Sequence, residues 1–175
     1  MSARDPGLAI AVSREIEAPP DALWRLLSTP GGVARWHPFL VRNPCERWDG
    51  VGSRDTLHYY SGTVIHRTIH RWIDGVGFDL EAVHPLGLRS ATVEWRIDER
   101  GPARSRLNIA LAPYIVRRVP GWARATYMRR IIAPPVSRYL WHVLEGINHT
   151  VTTGQAVRRN QFGSHLWFSP WTPWG

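Results

Sequence analysis

Eight histidines in 175 residues are the side chains best suited to metal binding or proton transfer, and their spacing limits which is open. His66 and His70 lie four apart, which on a helix would bring both to one ion. The run around them, TVIHRTIHRWI, is rich in β-branched and aromatic residues and reads as a strand. There four residues span about 13 Å, far beyond two bonds of about 2.0–2.1 Å to a shared zinc. What remains for them is to orient a ligand carbonyl or hydroxyl, or to act as acid or base. Two phases compete: Val64, His66, Thr68, His70 and Trp72 against Thr63, Ile65, Arg67, Ile69 and Arg71. The histidine and tryptophan phase is expected to face inward. His58 and Tyr60 share a phase in the preceding run and raise the same possibility. His58, His66 and His70 are therefore the candidate catalytic residues; the competing reading for each is a histidine satisfied by backbone or water.

Other chemistries lack their residues. His142, Glu145 and His149 would share a helical face, but seven residues separate the two histidines by about 10 Å, and the face reads as solvated and locally paired. There is no GxSxG, HExxH, paired CxxC or phosphate-binding glycine loop. Cys45, the only cysteine, lies beside Pro44 in an ordinary strand, and alone it forms no intrachain disulfide. No metal site and no cofactor are expected.

These side chains need elements to position them. LAIAVSREI (8–16) reads as a first strand, and EAPPDALWRLLSTPGG as a short helix with Leu23, Leu26 and Leu27 inward, closed by Pro30, Gly31 and Gly32. VARWHPFL allows one further helical turn before Pro38. From Val41 to Tyr114, turn signals separate six runs, 41–48, 53–60, 63–73, 77–84, 90–98 and 104–112, which should pair antiparallel. In 90–98, Ala91, Val93, Trp95 and Ile97 face one way and Thr92, Glu94, Arg96 and Asp98 the other. Residues 135–153 form an amphipathic helix whose stripe is Val136, Leu140, Val143, Leu144, Ile147 and Val151. Gly146 at its edge leaves room for a neighbour or a ligand.

Strand, two short helices, six strands and a long helix, with Ala18-Pro19, Leu23-Trp24, Trp36-His37-Pro38, Gly52 and Glu94-Trp95 in that order, resemble the helix-grip superfamily (SRPBCC). It includes START lipid-transfer domains, the Bet v 1 allergens and the bacterial polyketide cyclase/dehydrase group. The resemblance implies an α+β fold, a curved seven-stranded antiparallel sheet wrapped around the C-terminal helix, with a cavity between them for a hydrophobic ligand. It implies no fixed catalytic set. Candidate ligand-binding residues are Trp36, His58, Tyr60, His66, His70, Trp95, Tyr139, Leu140, Val143 and Ile147. Binding or carriage of a polyketide, lipid or isoprenoid-like molecule is the leading expectation; an aromatase or cyclase using the same cavity is the alternative.

Length and a hydrophobic content of 43% suit one domain, 1–155, followed by an aromatic-rich tail, 156–175. No apolar run approaches the roughly twenty residues that span a bilayer, and the start is too poor in apolar residues for a signal peptide, so a cytoplasmic place is expected. The basic residues are all arginine. Residues 1–99 hold 11 Arg and 13 acidic side chains, net −2, whereas 100–175 hold 11 Arg and only Glu145, net +10. The asymmetry points to an anionic surface. A basic amphipathic helix over 121–133 would set Tyr127, Met128, Ile131 and Ile132 on one arc, with Arg117, Arg118, Arg129 and Arg130 available to a membrane. It could cover the cavity mouth, with Pro134-Pro135 as its joint. Nucleic acid is disfavoured, since nothing reads a groove. The tail, with Phe162, Trp167, Phe168, Trp171 and Trp174, should dock on the domain, pair two chains as a homodimer, or meet a membrane interface.

Overall fold

A computed structural model describes residues 9–86 and 89–170. The chain runs β1 (Ile10–Ile16), α1 (Pro20–Ser28), α2 (Val33–Trp36), β2 (Leu40–Arg42), β3 (Cys45–Arg47), β4 (Arg54–Tyr59), β5 (Val64–Ile73), β6 (Gly77–Val83), β7 (Arg89–Gly101) and β8 (Arg104–Pro113). A 3₁₀ turn (Tyr114–Arg118) leads into α3 (Gly121–Tyr127), a π-helical turn (Met128–Ile132) and α4 (Ala133–Thr153). Trp171 and Trp174, expected to dock with the tail, lie outside the described residues.

The strands form one antiparallel sheet in the order β1-β8-β7-β6-β5-β4-β2, with β3 also on β4. β1 joins β8 from Ile10↔Leu111 to Ile16↔Ser105, so the first strand lies beside the last. β7 has the expected alternation, with Ala91, Val93, Trp95 and Ile97 buried. The run 41–48 is two strands rather than one, making eight in place of seven, and β2 and β3 each meet β4 with a shifted register. Pro44, which has no N–H to give to a ladder, sits between them. Asn43 turns inward there, giving its Nδ2 to Asp55 Oδ2 at 2.8 Å and to the Thr56 carbonyl at 3.1 Å.

The expected phase of β5 is overturned. Arg67 and Ile69 are buried with Ile65 half-buried, whereas His66 and His70 are exposed. Ile69 pairs with Leu80 and Arg71 with Asp79, which leaves His70 as the extra residue of a bulge. Residues 65, 67 and 69 thus face the core before the bulge and Trp72 faces it afterwards, stacked on Phe78 at 5.8 Å and edge-on to Trp24 at 4.9 Å. An inward Trp72 therefore says nothing about His66.

α4 carries its stripe into the sheet: Val136, Leu140, Val143, Leu144 and Ile147 are buried. At Gly146 an added Cβ would lie 1.9 Å from the Trp36 carbonyl oxygen. The room there is taken by a neighbour's backbone, which justifies a residue costing about 1 kcal/mol in helix propensity. Gly154, at φ 73°, closes the helix in the left-handed conformation. The polar face is not paired locally as expected: Glu145 bonds Arg14 of β1, and Phe162 packs edge-on to His149 at 6.2 Å. Nor do the prolines form a joint. The helical path is continuous from Gly121 to Thr153, and the π turn lies just before Pro134-Pro135, where two missing N–H groups would otherwise break the α pattern. Met128 and Ile132 are buried, while Ile131 is 54% exposed.

Candidate functional site

Between the inner face of the sheet and α4 lies a cavity of ≈ 180 Å³. Its wall is mostly apolar, with Leu57, Leu80, Val93 and Trp95 from the strands and Leu140 and Val143 from the helix. Trp167 and Phe168 of the tail complete it. The tail is held there by backbone bonds from Val157 N–H to the Arg35 carbonyl (2.9 Å), Asn160 N–H to Pro38 (3.0 Å) and Ser61 N–H to Phe168 (3.0 Å). His165 Nε2 donates to the Pro135 carbonyl at 3.0 Å, and its ring stacks on Phe168 at 5.2 Å.

One end of the cavity is polar. His37 is buried beside α2, where Pro38 ends the helical turn and directs the ring inward. Its Nδ1 accepts the Phe39 N–H at 3.2 Å, and its Nε2 meets Tyr139 Oη at 2.9 Å. Tyr139 Oη lies 2.9 Å from Tyr59 Oη. Beside them is Arg67, buried in β5, whose Nε donates to Asp55 Oδ1 at 2.8 Å and whose Nη2 bonds Asp55 Oδ2. The guanidinium also lies over the Trp48 ring at 4.8 Å.

Burial, reinforced by the Arg67 charge, pushes His37 down to about 3. Burial likewise pushes Tyr139 up to about 12 and Tyr59 well above its ordinary value. All three are neutral near pH 7, so this is a hydrogen-bonded corner of uncharged groups beside the Arg67–Asp55 pair.

A family model described as polyketide cyclase / dehydrase and lipid transport matches residues 8–140. The chain belongs to that family. Solved structures share its fold at low identity. Protein MLL2253 from Mesorhizobium loti is 18% identical with a TM-score of 0.62, over 82% of this chain and 96% of that one. A START superfamily protein from Mycobacterium smegmatis is 13% identical with a TM-score of 0.63, over 84% and 99%. DynU16, from the dynemicin biosynthetic locus, is 15% identical with a TM-score of 0.63, over 89% of this chain and 52% of that one. No curated protein matches the sequence. The helix-grip architecture expected from the order of elements is thus the architecture found, and it is a hydrophobic ligand-binding fold.

In this member of the polyketide cyclase and lipid transport family, Trp36, Trp95, Tyr139, Leu140 and Val143 line the cavity, while Ile147 is buried in the core without lining it. The remaining four candidates are on the other side of the sheet or beyond it. His66 Nδ1 bonds Thr56 Oγ1 at 3.0 Å, and His70 Nε2 stands 3.7 Å from Glu81 Oε2. His58 alternates outward from Leu57 and Tyr59, and Tyr60, 37% exposed, lies under Arg159 at 4.7 Å. None of His58, His66 and His70 lines the cavity, whereas His37, Tyr59 and Arg67 do. A signal for Arg67 lay in its phase mates, since Ile65 and Ile69 flank it two residues to either side. Leu57 similarly marked the phase of Tyr59.

Proposed function

We propose that the protein binds and carries a small hydrophobic molecule of the polyketide, lipid or isoprenoid class in this cavity. The observation that supports it most is a cavity of ≈ 180 Å³ with mostly apolar walls between the sheet and α4. A mostly apolar pocket of this order has room for an aromatic ring. The size favours a one- or two-ring compound over a two-chain lipid.

Native mass spectrometry of protein purified from its own host is expected to show an adduct that is lost on denaturation. The same molecule recovered unchanged supports carriage, and its conversion to a dehydrated product supports the cyclase alternative. No adduct, together with an experimental structure whose core is filled by side chains, would falsify the proposal.

A second reading has its own observation. Trp122 is 89% exposed and Ile115 52% exposed in a stretch, residues 100–144, that contains no acidic residue. With Arg117, Arg118, Arg129 and Arg130, this face suits the interface of an anionic bilayer, to or from which a carrier would deliver its cargo. Co-sedimentation with phosphatidylglycerol vesicles at low salt is the check. Trp122→Ala combined with Arg129→Gln and Arg130→Gln is expected to weaken binding by about tenfold or more, each arginine near the surface contributing about 1 kcal/mol. Unchanged binding rules this face out.

A further inference from the structure

The hydrogen bonds at the polar end do not balance, and the imbalance bears on what chemistry the cavity can accept. The Phe39 N–H can only donate, so His37 Nδ1 is the acceptor and the proton of the neutral ring sits on Nε2. Nε2–H therefore donates to Tyr139 Oη. One further bond joins the two phenols. Three protons, one on His37 and one on each tyrosine, thus serve two hydrogen bonds. Whichever way the Tyr59–Tyr139 bond points, one phenolic proton is left over at the cavity.

The neighbouring guanidinium adds donors. Arg67 commits Nε and Nη2 to Asp55, and no hydrogen bond from its Nη1 is present among the described residues. Asp55 is the carboxylate here, and its oxygens are engaged by Arg67 and Asn43. A buried donor without a partner is costly, and among the side chains that line the cavity the surplus is on the donor side; the unpaired acceptor Asn43 Oδ1 belongs to a residue outside the lining.

We propose that the cavity takes an apolar molecule bearing one uncharged carbonyl-type oxygen, seated against Tyr59, Tyr139 and Arg67. This rests on reading the cavity as a ligand site. The oxygen is uncharged because Asp55 already neutralises Arg67; a carboxylate would bury a second anion against a single cation. An ammonium finds no free anion to meet it, because Asp55 is already engaged by Arg67 and Asn43.

Three probes of one shape test this: 2-acetylnaphthalene, 2-isopropenylnaphthalene and 2-naphthoate, titrated into the whole chain by calorimetry. The ketone is expected to bind about tenfold or more tighter than the alkene, and tighter than the carboxylate. In Tyr59→Phe with Tyr139→Phe the ketone's advantage over the alkene, measured on the same variant, should shrink by about threefold or more. Equal binding of ketone and alkene overturns the inference and leaves the cavity reading standing, as does tighter binding of the carboxylate or an advantage unchanged in the double variant. Binding of none of the three overturns both. If the double variant does not fold, the three-way comparison on the unaltered chain decides.

Discussion

Arg67→Met is expected to lower the free energy of unfolding by about 3–5 kcal/mol, which for a chain of this length is a fall in Tm of roughly 6–20 °C. Arg67 and Asp55 are 6% and 5% exposed and are joined by two hydrogen bonds. Methionine fills the space of the aliphatic stem and removes the cation, leaving the carboxylate buried with only Asn43 to bond it. The cost comes from that uncompensated charge, since a buried pair contributes little in itself once desolvation of both ions is counted. Arg67→Met with Asp55→Leu should accordingly regain most of the loss. Urea unfolding of the two single variants, the double variant and the parent gives the coupling directly. A single variant that costs less than about 1 kcal/mol, or a double variant no more stable than Arg67→Met, would show that the pair is not a buried neutral unit.

Acid is expected to destabilise the fold through His37. Its folded value of about 3 lies below the ordinary value of about 6.5. Between the two, the unfolded chain binds a proton that the folded chain refuses. Stability from this group is complete above pH 6.5 and is lost as the pH falls toward 3, at about 1.4 kcal/mol per pH unit. From pH 6.5 to 4.5 the loss is about 2–3 kcal/mol. His142 and His165 are shifted down by burial as well and add in the same direction. His37→Asn keeps an acceptor for the Phe39 N–H and removes the titration. It should be less stable at pH 7, yet show a shallower dependence on pH by about one proton. Identical slopes for parent and variant, measured by urea unfolding, would mean that His37 is not held neutral.

Much of the container was legible in the residues. The stripe of α4 and the phase of β7 are long, regular alternations, and a long regular pattern has one face that can be buried. Turn signals placed β4 to β8 within a few residues. The contents of the site were less legible, for reasons that can be named. In β5 the inward Trp72 and the inward Ile69 belong to opposite phases of a strict alternation, and the bulge at His70 reconciles them. No rule of period two can represent that strand. Histidine and tyrosine suggested chemistry at 58, 60, 66 and 70, but residue type does not set direction; Leu57, Ile65 and Ile69 did.

By itself the sequence determined the order of elements, the antiparallel pairing of neighbouring strands, the helix that the sheet grips and the family to which the chain belongs, because each depends on local periodicity and local turn chemistry. Only the tertiary structure decided that His37, Tyr59 and Tyr139 meet, that Arg67 is buried on Asp55, and that the tail supplies Trp167 and Phe168 to the wall. Those groups come from segments up to about 130 residues apart, and whether a polar side chain is buried with partners or exposed to water is settled when those segments pack.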